Sequence, residues 1–194
     1  MRLLAHLTHH SIESLGNQQD LKVLKREAAR GIVLREEKIL LMYTSRYDDF
    51  SFPGGGLDAG EDPQLGLRRE LHEEAGAHDI DIIAPFGKVT EHQPTWKADW
   101  DMMFQTSYWY HCKLNQPLVA NQLEHYEVSN GMSVEWVALD EAIRHNHQVM
   151  QRRPDSMGIS IGRETLVMER VASELLTGNG EKRGQPPRER EASL

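Results

Sequence analysis

At 194 residues and 22.2 kDa, the chain has room for one core with appendages and too little for two full-sized domains. A composition of 39% hydrophobic and 27% charged residues, with 15 Gly and 8 Pro, excludes fibrous and globally disordered classes. The longest apolar run, Ile39–Tyr43, is too short to cross a bilayer, and the opening MRLLAHLTHHS lacks a signal-peptide core, so a cytoplasmic protein with no membrane partner is the default reading. Asp and Glu outnumber Lys and Arg by 30 to 22, a formal charge of -8 with a pI near 5.7, which is the wrong sign for a binder of polymeric DNA.

Residues 1–25 read as an N-terminal segment holding a short strand at Arg2–Leu7 and a polar loop from Ser11 to Gln19. The main domain is expected over residues 26–177. RGIVL and ILLMY are β-prone runs, and the charged segment Arg35–Lys38 between them reads as a hairpin turn. Gly54, Gly55, Gly56 and Gly60 interrupt regular structure. Asp62-Pro63 then opens a helix that should run from about Asp62 to Ala75, with Gly76 closing it. Strands follow at Ile80–Ile83, Gly87–Glu91, Met102–Leu114 and Val134–Ala138. Leu139 starts a helix to about His147 with Asp140 as its N-cap, and apolar residues at helical spacing predict a docking helix over Gly162–Leu176. Residues 178–194 have no apolar periodicity and should form a disordered tail. The single Cys112, within SYWYHCKL, reads as a buried structural thiol on a strand.

The chemistry concentrates in Pro53–Ala77, PGGGLDAGEDPQLGLRRELHEEAGA. On a helix Glu70, Glu73 and Glu74 stand at i, i+3 and i+4 and project from one face. Like charges about 4 Å apart repel by about 1 kcal/mol in water and about 4 kcal/mol at an effective dielectric near 20, so such a face calls for a compensating cation. A bare E-x-x-E-E would otherwise be a solvated helix face. Here the glycine-rich approach lets backbone groups come close to a metal or a phosphate, and Arg69 can pair with Glu73 or reach back to Glu61. Hard oxygen ligands of this kind suit magnesium, with manganese as a substitute.

The spacing of Gly55, Glu61, Arg69, Glu70, Leu71, Glu73, Glu74, Gly76 and Ala77 resembles the complete signature of the Nudix hydrolases, with Ala77 standing where a bulkier aliphatic is usual. The resemblance covers about Arg26 to His147. It implies an α/β (α+β) fold, a mixed sheet sandwiched between helices, and hydrolysis of the diphosphate linkage of a nucleoside diphosphate derivative. It further implies magnesium held by Glu70, Glu73, Glu74 and the Gly54 carbonyl, with Arg69 and Glu61 orienting the helix. Two candidates for the general base stay open: Glu70, and Glu127 in a loop before the last strand with Glu124 behind it. Gly55 and Gly56 are candidate substrate contacts. So are Trp96 and Trp100, in the polar stretch EHQPTWKADWD, because a nucleobase stacks on such rings. Alternation along a strand sends Tyr108 and Tyr110 one way and Trp109 the other, so part of this aromatic set belongs to the core.

His145 and His147 cannot face each other on one helix and read as exposed, and Arg152, Arg153 and Arg163 read as a solvated basic cluster. The alternative reading is a catalytically silent Nudix-fold module that binds nucleotide. An isomerase on the same fold ranks last, because its additional acid and Cys residues are not identifiable. The substrate's identity and a homodimer built through the N-terminal segment or the C-terminal helix stay open.

Overall fold

The computed structural model describes residues 1–13 and 21–176, so the expected tail and most of the expected Ser11–Gln19 loop lie outside the described residues. The strands are β1 (Leu3–Thr8), β2 (Val23–Arg35), β3 (Lys38–Thr44), β4 (Asp49–Ser51), β5 (Ile80–Gln93), β6 (Met102–Leu114) and β7 (Met132–Ala138). The helices are α1 (His10–Glu13), α2 (Pro63–Ala75), α3 (His125–Ser129), α4 (Leu139–Arg152) and α5 (Ile161–Val171), the last running into a π-helical turn at Ala172–Leu176. The sheet is mixed, in the order β1-β5-β6-β2-β3-β4, with β7 on the other edge of β3. β1, from the segment expected to precede the main domain, pairs in parallel with β5 from Leu3↔Lys88 to Thr8↔His92. β2 pairs in parallel with β6 from Val23↔Met102 to Val33↔Cys112. No helix among the described residues is long and apolar enough to cross a membrane.

Side-chain alternation fills both faces of this sheet. Ile32, Ile39, Leu41 and Trp109 point to one face, where α4 and α5 cover them with Leu139, Ala142, Val167, Met168 and Val171. Val33, Leu40, Tyr110 and Cys112 point to the other, against Leu67, Leu71 and Ala75 of α2. The result is the expected sandwich, with the aromatic run split as its alternation requires: Trp109 is fully buried in the first core and Tyr108 and Tyr110 pack on the second.

Several elements differ from expectation in ways with physical causes. The two short strands expected after α2 are one, β5, bulged between Ile82 and Ala84 and between Pro85 and Gly87, where proline has no N–H to give the ladder. α4 leaves β7 directly, so its N-cap is Ala138, and Asp140 stands inside the first turn, where its charge meets the helix's positive end. The helix continues past His147 to Arg152 and stops where Arg153 turns left-handed ahead of Pro154. α2 follows its signals closely. Asp62 Oδ1 accepts from the N–H groups of Gln64 and Leu65 at 2.9 and 3.1 Å, and Gly76 closes the helix at φ 64° while donating to the His72 carbonyl.

Candidate active site

The loop Pro53–Gly56 is stitched along β2 by hydrogen bonds from Gly31 N to the Pro53 carbonyl, from Ala29 N to the Gly55 carbonyl and from Leu57 N to the Glu27 carbonyl. One glycine in it is required by the backbone, and a second keeps a close approach to Glu70 open. Gly54 has φ 125°, and a Cβ there would sit 2.3 Å from the Ala29 carbonyl oxygen; a Cβ on Gly55 would fall 2.1 Å from Glu70 Oε2. The loop thereby brings its backbone against two carboxylates of α2. Glu74, 5% exposed, accepts from Gly54 N at 2.6 Å. The Gly56 carbonyl accepts from Arg69 at 3.2 Å, whereas the Gly54 carbonyl accepts no hydrogen bond among the described residues.

Arg69 is the hub on the other side of these acids. Its Nε and Nη2 meet the two oxygens of Glu61 at 3.2 and 3.1 Å, and its Nη1 donates to Glu70 Oε1 at 2.7 Å and to Glu73 Oε2 at 3.3 Å. Glu61 also accepts from Asp58 N, so this one residue ties the loop to the helix. Hydrogen bonding to Arg69, and then to that amide, holds the Glu61 carboxyl below its usual range. Burial moves Glu70 the other way, upward, against the pull of Arg69. Burial raises Glu74 well above the ordinary carboxylate value, opposed by Arg30 and the Gly54 N–H and reinforced by the nearby charges of Glu127 and Glu70. No three acidic, His or Cys side chains among the described residues are gathered closely enough to hold a metal ion as they stand.

Gly54–Gly56 and Glu74 open onto a cleft of about 520 Å³ that Glu127 and Trp96 also line, while Trp100 does not line it. Glu127 stands on the short helix α3 and not in the loop expected. It is 3% exposed, and its oxygens accept from Glu124 N at 2.7 Å and from the Tyr126 hydroxyl at 3.1 Å. Arg26 and Arg30 supply a basic wall from β2, and Tyr47 and Asp49 line the cleft as well. Sequence reasoning missed both arginines. The available signal was their even spacing on a strand, which places them on one face with Ala28 between them.

Two expectations for charged side chains fail here. Arg163 is 4% exposed and ion-paired with Glu91 and Glu164, so it is no part of a solvated basic cluster, whereas Arg152 lies at the surface against Asp48. His145 is half-buried, its Nε2 at 2.8 Å from the Asp48 carbonyl and 3.0 Å from Asp48 Oδ1, because the β3–β4 turn folds onto α4. His147 lies near the surface against Glu169.

The sequence profile of the NUDIX domain matches residues 25–156. The chain belongs to the Nudix family. Among Nudix relatives, an RNA pyrophosphohydrolase from a Nitratiruptor species is 54% identical over 39 residues, 20% of this chain and 25% of that protein. Diphosphoinositol polyphosphate phosphohydrolase 3-alpha of Mus musculus is 33% identical over 113 residues, 57% of this chain and 60% of the relative. The chain thus spans a quarter to three fifths of these curated relatives. A solved mutator MutT protein from Bacillus halodurans is similar with a TM-score of 0.46 and 18% identity, over 69% of this chain and 83% of that one. β1 and α5 lie outside the segment matched to the Nudix profile, yet both pack on the Nudix core: β1 borders β5, and α5 sends Glu164 to accept from Phe52 N at 3.2 Å, next to the glycine loop.

Proposed function

We propose that this chain hydrolyses the diphosphate linkage of a nucleoside diphosphate derivative by water attack at phosphorus, with magnesium, or manganese in its place, held by Glu70, Glu73, Glu74 and the Gly54 carbonyl. The observation that carries this reading is the buried Gly54: its N–H is taken by Glu74, its carbonyl is left without a donor, and Glu70 is pressed against its neighbour. An unpartnered carbonyl beside carboxylates whose charged form burial disfavours offers hard oxygen donors of the kind that suit magnesium. Once bound, such an ion polarises phosphoryl oxygens and lowers the pKa of a coordinated water.

The chain's own residues supply the rest. Arg69, clamped by Glu61, fixes the helix face and the loop relative to each other. Glu127 and Glu70 are the two candidates to accept the water's proton as the new phosphorus–oxygen bond forms and the anhydride bond breaks, releasing two phosphate products. Burial beside Glu74 supports Glu127 in this role, and contact with the glycine loop supports Glu70. Gly55 and Gly56 would let phosphate oxygens approach the backbone. Trp96, 69% exposed at the cleft's rim, offers a face for a base. The test is product release from a panel of nucleoside triphosphates, nucleoside diphosphate sugars, dinucleoside polyphosphates and capped RNA, with magnesium, manganese or chelator. Turnover that the chelator abolishes is expected; no turnover across the panel, with nucleotide still bound, would overturn the hydrolase reading.

A further inference from the structure

Arg30 is an anomaly among the charged side chains of this fold. Its side chain is only 15% exposed, its Nε is buried without a hydrogen-bond partner, and no guanidinium N–H donates to an acceptor among the described residues. The carboxylate paired with it, Glu164, stays 3.9 Å away, outside hydrogen-bond range. Glu164 is occupied elsewhere: Oε1 accepts from Arg163 Nε and Nη2 at 3.1 and 2.8 Å, and Oε2 accepts from Phe52 N at 3.2 Å. Arg163 in turn is paired with Glu91 on β5. The buried network therefore closes on itself and leaves Arg30 out.

A guanidinium carries five donors and cannot shed its charge, so a buried one without acceptors is built to receive them. Arg30 lines the cleft that holds Gly54–Gly56 and Glu74, where its charge already reaches the carboxylates of Glu74 and Glu70 without a hydrogen bond to either. Arg26, four residues along the same strand face, lines that cleft too, and only its Nη1 donates, to Gln105 Oε1 at 2.9 Å. Two like charges on one wall repel, and an anion between them relieves both. Planar N–H groups match the paired oxygens of a phosphate, which a bidentate contact can satisfy.

We propose that Arg30 is a substrate-binding residue that grips the non-bridging oxygens of a phosphate group in the cleft. This rests on the hydrolase reading for the phosphate chemistry of the ligand, but its test does not depend on turnover. Inorganic pyrophosphate, and separately adenosine, would be titrated calorimetrically into the full chain, in chelator and with magnesium, for the wild type, Arg30→Gln and Arg30→Lys, with thermal melts to establish that each variant is folded. Arg30→Gln should weaken pyrophosphate binding about tenfold or more, Arg30→Lys should recover part of the loss through its retained charge, and adenosine, which has no phosphate, should be unaffected. Pyrophosphate bound equally by the wild type and folded Arg30→Gln would overturn the assignment. So would absence of pyrophosphate binding by the wild type in both conditions, or Arg30→Gln and Arg30→Lys losing adenosine and pyrophosphate alike. If the hydrolase reading alone fails, the panel shows no turnover while the Arg30 dependence of pyrophosphate binding persists.

Discussion

Replacing Asp49 with Asn should stabilise the protein, and more so at alkaline pH than in acid. Asp49 is 4% exposed, and none of the hydrogen bonds among the described residues reaches its carboxylate. Burial, then the charges of Glu164 and Asp48, lift its pKa from 3.8 to about 6, with His145 opposing them. An acid whose folded-state pKa lies above its unfolded value favours folding when protonated. That contribution is fully present below the unfolded value of 3.8 and is lost as pH rises through about 6. A shift of roughly two units at about 1.4 kcal/mol per unit makes the ionised form about 3 kcal/mol costlier to fold than a neutral isostere. Asp49→Asn should therefore gain about 1 kcal/mol near pH 4.5 and about 3 kcal/mol near pH 8, read from urea unfolding at unchanged m-value. An equal gain at both pH values, or a loss at the higher one, would refute the argument, because it would mean that the ionised carboxylate is well accommodated.

Glu74→Gln keeps an acceptor for Gly54 N while removing the charge, so the fold should hold and turnover should fall at least about a hundredfold in a product-release assay. Glu127→Gln should lower kcat with the melting temperature little changed; an unchanged kcat would return the general-base role to Glu70. Gly54→Ala drives a Cβ into backbone at Ala29 and should be destabilised in urea, whereas Gly55→Ala meets the movable end of Glu70 and should lose turnover first. Arg163→Ala strands Glu91 and Glu164 in the interior and should cost about 3–5 kcal/mol in the same unfolding measurement.

What can be read from the sequence is whatever the chain encodes over a turn or two. Asp62, Pro63 and Gly76 mark the ends of α2 because caps act on groups within four residues of themselves, and the three glutamates share a face because helical spacing alone puts them there. Arg163 misleads for the opposite reason: its partner Glu91 lies 72 residues away, on a strand whose place beside α5 follows from sheet order, and no local pattern encodes sheet order. The same holds for His145, whose partner Asp48 is 97 residues earlier. The strands expected at Ile80–Ile83 and Gly87–Glu91 stay separate on local pattern alone; only the antiparallel partner β6 shows one ladder running through the bulges between them. The basic wall of the cleft is hidden because Arg26 and Arg30 look like ordinary strand residues until β6 and the glycine loop close over their neighbours.

The parallel strand β1 has a consequence for anyone shortening this chain. It shields the backbone of β5 along Lys88–His92, on the flank away from β6. A polypeptide trimmed to start where the family profile does, at residue 25, would lose that shield and present unpaired amide and carbonyl groups in a row to any neighbouring molecule. Its failure would be one of solubility more than of catalysis. The trimmed protein would self-associate in a concentration-dependent way through strand addition, while the cleft, which no residue of β1 lines, kept its shape.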